Sequence, residues 1–386
     1  MKRIAVLLLV LCLVLGGCAP AAEPEAPSTD ASTQPSTEPT QPSTEPSTEP
    51  STEPTEPSTE PTEPSTEPTE PEEPVVLYRN PLTGEPLDAP WMGNPTAVVI
   101  NNIKECLPQH GISQADILYE IETEGGITRC LALFSEVKDI GAIGPVRSAR
   151  TYFNNVAVSY GAALVHCGGS PNALKGRYSD GADTISNWKH IDQMYNGTYF
   201  YRDTERRSQG YAYEHTLFTS DEKLLAALTK KGYNTTNPDA TDFGLSFADN
   251  VALDGATAGT ITVKFLGKKT TTMTYDEASG LYKASEYGSE WIDANTKTQL
   301  AFKNVMVLYA DQWKNKEPSY TRSYYDLVGT GSGVFACNGK LVSIKWTRDG
   351  LRDTFHYTLE DGTPLTLGVG TTYVAVASDR VAADYK

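Results

Sequence analysis

Between residues 19 and 74 the chain has no lysine, no arginine and, proline aside, no apolar side chain larger than alanine. So little apolar surface cannot offset the entropy of ordering a chain, which excludes a packed core there. The segment holds instead 15 prolines and 14 acidic residues, and a Ser-Thr-Glu-Pro unit, shortened in places to Thr-Glu-Pro, repeats from Ser36 to Pro71. Proline and mutually repelling glutamates favour extended, polyproline-like structure, with a reach of at most about 170 Å at ~3.1 Å per residue. The expectation is a disordered stalk over residues 18–74.

Other absences narrow the function. No long apolar run follows the stalk, so no later membrane span is expected. The net charge of −17 falls to −5 for residues 75–386, once the stalk's −14 and the leader's +2 are set apart. That remainder has no basic stripe, which argues against nucleic acid as a partner. No Cys-x-x-Cys supports a metal site and no Gly-x-Ser-x-Gly elbow is present. No cofactor is expected.

One long apolar run does exist, at the start. Lys2 and Arg3 precede Ile4 to Leu15, and Leu15-Gly16-Gly17-Cys18 closes the run. This reads as a secretory signal peptide over residues 1–17, ending in a lipobox. Cys18 would become the lipidated N-terminus, anchoring the chain at the extracytoplasmic face of the cell membrane.

The remaining residues suffice for two sizeable cores. In the first part, Thr96 to Asn101 reads as a buried strand. Asp116 to Glu124 alternates, with Ile117, Tyr119 and Ile121 on one face and the glutamates on the other. Gly125-Gly126 turns the chain, and Ile127 to Val137 returns. Ser148 to Tyr160, Ser170 to Tyr178 and Asp221 to Lys231 read as helices, the first and last capped by Ser148 and Ser220. After residue 243 short strands follow at close spacing, separated by turns such as Asn338-Gly339. The expected class is α+β: a mixed α/β domain with a polar cleft over residues 75–235, then a mostly antiparallel β domain over residues 243–386. Cys106, Cys130, Cys167 and Cys337 are open between buried thiols and one disulfide.

Three polar stretches carry the candidate chemistry. Glu124-Gly125-Gly126-Ile127-Thr128-Arg129 is a hairpin tip. Ile143-Gly144-Pro145-Val146-Arg147-Ser148-Ala149-Arg150 leads into a helix. His166-Cys167-Gly168-Gly169-Ser170-Pro171 links a strand to a helix. Arginines at a helix N-terminus oppose the macrodipole, at about 0.3–1 kcal/mol each. Arg147 and Arg150 therefore need a counter-charge, from Glu120, Glu122 or Glu124, or from an anionic ligand. Ser170 as cap, Pro171 at the first helical position and two glycines before them suit an anion site. A fourth stretch, Tyr195 to His215, mixes aromatics with Arg202, Arg206 and Arg207. It is either a ligand surface that stacks sugars and grips carboxylates, or a loop pinned by its own rings.

These stretches, together with Gln114-Ala115-Asp116-Ile117-Leu118-Tyr119-Glu120, resemble the YerB-like lipoproteins. The resemblance covers roughly residues 80–386. Cys167 stands where that family tends to have a small or aliphatic residue, and Glu214-His215-Thr216 where it often has Pro-His-Asn. It implies a lipid-anchored, two-domain envelope protein, mostly of Gram-positive bacteria, in a family of unknown function with a distinct C-terminal partner domain.

Three functional readings are open. In the first, a pocket of Glu120, Arg129, Arg147, Arg150, His166, Ser170, Arg202 and His215 binds an anionic or peptidoglycan-like ligand. In the second, an envelope hydrolase uses His166 or His215 as general base. In the third, the chain is an adaptor for another membrane or wall protein.

Overall fold

The computed structural model describes residues 78–175, 189–233, 242–265, 269–317, 320–378 and 383–386. The strands and helices that position the candidate site are, in chain order, β1 (Thr96–Asn102), β2 (Ile117–Glu122), β3 (Thr128–Phe134), α1 (Thr151–Ser159), β4 (Ala163–His166), α2 (Pro171–Lys175), β5 (His190–Asp192), α3 (Thr204–Ser208) and α4 (Asp221–Lys231). There follow β6 (Thr260–Lys264), β7 (Thr270–Asp276), β8 (Leu281–Glu286), β9 (Asn304–Tyr309), β10 (Gln312–Lys316), β11 (Thr321–Tyr325), β12 (Gly329–Cys337), β13 (Lys340–Arg348) and β14 (Thr372–Ala377). The α+β class expected from the sequence is the one observed.

One sheet runs through the molecule in the order β13-β12-β9-β14-β2-β3-β1-β4-β5, with short edge strands added beside β13. Its middle joins the two halves of the sequence. Tyr373 of β14 lies opposite Val305 of β9 on one side and Leu118 of β2 on the other, both in parallel register. The later half is otherwise mostly antiparallel. Asn338 and Gly339 both adopt positive φ (52° and 72°) between β12 and β13, as a type I′ hairpin requires.

Both faces of the sheet are covered, so β1 to β3 are buried along their whole length. Period-2 alternation here separates two cores rather than core from water. Ala97, Val99, Tyr119, Ile121, Leu131 and Leu133 face α1. Val98, Ile100, Leu118, Cys130 and Ala132 face α4 and a second antiparallel sheet built on β6, β7 and β8.

The helices form for different reasons. α4 carries its own signals: Ser220 Oγ accepts from Lys223 N at 3.3 Å, acids fill the first turn, lysines the last, and Gly232 closes it at φ 66°. α1, by contrast, is rich in Asn and β-branched residues, which are weak helix formers. All nine of its residues are buried, and packing supplies its stability. It starts at Thr151, with Arg150 as N-cap and no side-chain cap bond. The expectation that Ser148 caps it is therefore corrected. Ser148 stays outside because its carbonyl serves Arg129. Beyond α2, the rest of the expected 170–178 helix falls outside the described residues. The four cysteines among the described residues, Cys106, Cys130, Cys167 and Cys337, are free thiols.

Candidate functional site

Arg129, Arg147 and Arg150 converge at the front of α1. Arg129 sits at the start of β3 on the α1 face, directly across from Asn101 of β1. Its Nη1 donates to the Ser148 carbonyl at 2.6 Å. Arg150, as N-cap, is buried like Arg129, while Arg147 three residues earlier is half-buried.

The hairpin tip answers only part of this charge. Gly125 and Gly126, both at positive φ, turn the chain so that Glu124 faces the helix start. Arg150 Nε donates to both carboxylate oxygens of Glu124 at 3.0 and 3.1 Å, and Nη2 donates at 2.7 Å. Arg322 of β11 adds a bond at 3.3 Å and Ser323 N–H another at 3.4 Å. Burial works against the Glu124 carboxylate, yet the Arg150 bonds and the Arg150, Arg322 and Arg129 charges hold its pKa down at about 2. Burial also works against the Arg150 charge, but Glu124 outweighs it and raises the Arg150 pKa.

Arg129 and Arg147 lack such a partner. Among the described residues Arg147 Nη1 reaches only the Glu214 carbonyl, at 3.4 Å, and the buried Nε atoms of Arg129 and Arg147 have no hydrogen-bond partner. Burial, then repulsion by Arg150 and Arg147, depresses the Arg129 pKa to about 9. A carboxylate bonded to Arg129 would push the other way. The structure thus divides the expected arginine pair: Arg150 is clamped by the fold, Arg147 is not, and Arg129 joins it.

The second expected anion site is filled by the chain itself. Ser170 Oγ does cap α2, accepting from Ala173 N at 3.4 Å. The neighbouring N–H groups are taken, however: Gly168 N by Asp192 Oδ1 at 2.7 Å, Ser170 N by the Ala149 carbonyl at 3.2 Å, and Asn172 N by Glu317 Oε2 at 3.1 Å. Glu317, just after β10, is held there by the Tyr324 hydroxyl at 2.6 Å. The negative group at this helix start is therefore internal.

The two histidines are not placed as a hydrolase needs. His166 is fully buried; its Nδ1 lies 2.8 Å from the Gly168 carbonyl, so it must donate there, and Nε2 accepts from His190 Nδ1 at 3.2 Å. Both ring nitrogens are committed. His215 Nδ1 accepts from the Asn101 amide at 3.0 Å, which leaves a proton, not a lone pair, on Nε2 of the neutral ring. Burial lowers the pKa of both histidines. The Cys167 thiol donates to Gln193 Oε1 at 3.3 Å, and burial raises its pKa, so it is no thiolate nucleophile. His190 is depressed to about 4 by burial, then by His166 and Lys231. An NMR titration should therefore find His190 neutral at pH 5, whereas an imidazole midpoint near 6.5 would contradict the assigned network.

Glu120 does not belong to the arginine cluster. It points to the opposite face of the sheet, where Oε1 accepts from Asn102 Nδ2 (2.9 Å) and Thr128 Oγ1 (2.6 Å), and Oε2 from Thr271 Oγ1 (2.8 Å) and the Tyr373 hydroxyl (2.7 Å). Lys269 Nζ lies 3.6 Å from Glu120 Oε1 and contacts the Glu286 carboxylate. Tyr287 and Trp291 cover the ammonium, at 4.2 and 5.3 Å from their ring centroids. Arg202 also stands apart from the cluster core. It stacks on Tyr213 at 3.8 Å and donates to the Tyr213 carbonyl at 2.7 Å. Tyr213 is exposed, so the surface beside Glu214 carries an aromatic ring. Cys18 lies outside the described residues. Asn101, Lys269, Glu286, Glu317 and Arg322 were not legible as site residues, because each acts through partners distant in sequence.

Comparison with known proteins agrees with this architecture. YerB of Bacillus subtilis (strain 168), named as a lipoprotein, is 29% identical over 320 residues, covering 78% of this chain and 90% of YerB. The crystal structure of YerB from Bacillus subtilis superposes with a TM-score of 0.65 at 26% identity, covering 79% of this chain and 99% of that one. Residues 82–234 match the N-terminal domain of a protein family of unknown function, DUF3048, and residues 261–374 match its C-terminal domain. The chain belongs to the DUF3048 family, and carries both of its domains.

Proposed function

We propose that this protein is a lipid-anchored envelope protein, tethered through Cys18 at the extracytoplasmic face, that binds an anionic, peptidoglycan-like ligand at the arginine cluster. The observation that carries this reading is the positive charge of Arg129 and half-buried Arg147 at the front of α1, where among the described residues both bond carbonyls and neither meets a carboxylate. Unpaired buried guanidinium is costly unless a negative group completes it. Wall fragments carry carboxylates for bidentate arginine contacts and sugar faces for aromatic ones. Arg147 bonds the carbonyl of Glu214, next in sequence to exposed Tyr213, which supports one ligand reaching both. The stalk suits a domain that must work some distance from the lipid.

Isothermal titration with soluble muropeptides tests the reading. Arg147→Ala should weaken binding about tenfold or more, equivalent to ~1.4 kcal/mol, while moving folding stability by less than about 0.5 kcal/mol. An unchanged Kd, or no heat with any fragment, would remove this proposal.

A further inference from the structure

We propose that Lys269 and Glu286 condense to an intramolecular amide, a covalent cross-link across the β7–β8 hairpin, with Glu120 as the proton acceptor. Four observations place the reaction. The Lys269 ammonium is in contact with Glu286, and Glu120 Oε1 is 3.6 Å from Nζ. All three side chains are 1% exposed or less. Tyr287 and Trp291 close over the amine. Among the described residues Glu286 Oε1 is buried without a hydrogen-bond partner, whereas Oε2 faces Lys269.

The chemistry balances without any co-reactant. Transfer of one proton from the ammonium to Glu286 turns the ion pair into a neutral amine and a neutral acid, which a dry interior favours over separated charges. Burial, outweighing Lys269, raises the Glu286 pKa to about 7, so the acid form is accessible near neutrality. The Nζ lone pair then attacks Glu286 Cδ, and a second N–H proton passes to Glu120. The Cδ–Oε2 bond breaks, and Oε2 leaves as water with the proton it took from the ammonium and the proton returned by Glu120, while Oε1 becomes the amide oxygen. Amide formation is unfavourable between free groups in water. Fixed neighbours reach effective concentrations of about 10⁵–10⁸ M, and the product water escapes from an apolar cage. Four donors hold Glu120 in place throughout.

The register makes the bond reachable without moving the backbone. Glu286 lies opposite Thr271 in the β7–β8 ladder, and Lys269 precedes β7 by one residue. This inference is independent of any ligand at the arginine cluster.

Tryptic peptide mapping of the denatured full chain tests it. A cross-linked protein yields residues Lys269–Lys283 joined to Ala284–Lys297, one water lighter than the two peptides summed, because an acylated Lys269 resists trypsin. Release of Thr270–Lys283 and Ala284–Lys297 as separate peptides of full mass from the native protein would overturn the proposal. Lys269→Arg should give only separate peptides. Glu120→Gln should lower the linked fraction at least tenfold after equal incubation; an undiminished fraction would remove Glu120 from the reaction.

Discussion

Replacing Lys269 with methionine should cost about 3–5 kcal/mol of stability at pH 8, because Glu286 is then left buried and ionised with no cation beside it, whether the native pair is ionic or has condensed to the amide. Methionine matches the lysine stem in volume, so lost packing is not the cause. The variant leaves Glu286 in an interior that already raises its pKa to about 7 even beside the ammonium. Its acid form is favoured further once the cation is gone. A carboxyl whose folded pKa lies above its unfolded value stabilises below the unfolded value and loses that contribution as pH rises. The Lys269→Met deficit should therefore shrink between pH 8 and pH 5.5 in urea unfolding. Adding Glu286→Gln to it should restore part of the loss and flatten the pH slope. A deficit equal at both pH values would show that the variant fails through packing instead.

Glu124→Gln should produce two effects of opposite sign. It removes the carboxylate that neutralises Arg150 and Arg322. With the pKa held at about 2 against an ordinary 4.5, and the side chain 22% exposed, the cost should be about 2–3 kcal/mol at pH 7. Because the folded pKa is depressed, that contribution is present above pH 4.5 and lost as pH falls towards 2. The same substitution frees two more guanidiniums for an outside anion. Affinity for a muropeptide should rise several-fold while stability falls. A variant that lost both together would mean that Glu124 orders the cluster instead of competing with its ligand. Calorimetric titration and chemical unfolding on one sample separate these outcomes.

The elements legible in the sequence were those with local causes. Ser220, the acids after it and Gly232 fix α4 within one helix length. The alternation of β2, the apolar run of β1 and the Asn338-Gly339 turn likewise depend on near neighbours. Glu120 was misplaced because alternation distinguishes two faces without saying what covers them. Its partners Thr271 and Tyr373 are 151 and 253 positions away. The start of α1 was misplaced for a similar reason. Ser148 has the right side chain for a cap, but Arg129, 19 residues earlier, claims its carbonyl and draws it out of the helix. The anion-site signature at Gly168 to Pro171 was chemically sound. Its occupant, Glu317, is 145 residues from Asn172 and left no local trace. The arginines were the legible part of the site; which acid took which arginine was decided by the tertiary fold.

The claim on which the function rests is that Arg129 and Arg147 keep donors for a ligand while Arg150 has spent its own on Glu124. Titration of the full chain with a soluble muropeptide, followed at the arginine Nε–H resonances, addresses it directly. The signals of Arg129 and Arg147 should shift together and saturate with one Kd, with that of Arg150 nearly still. Saturation with neither of the first two moving, or with Arg150 alone responding, would contradict the account.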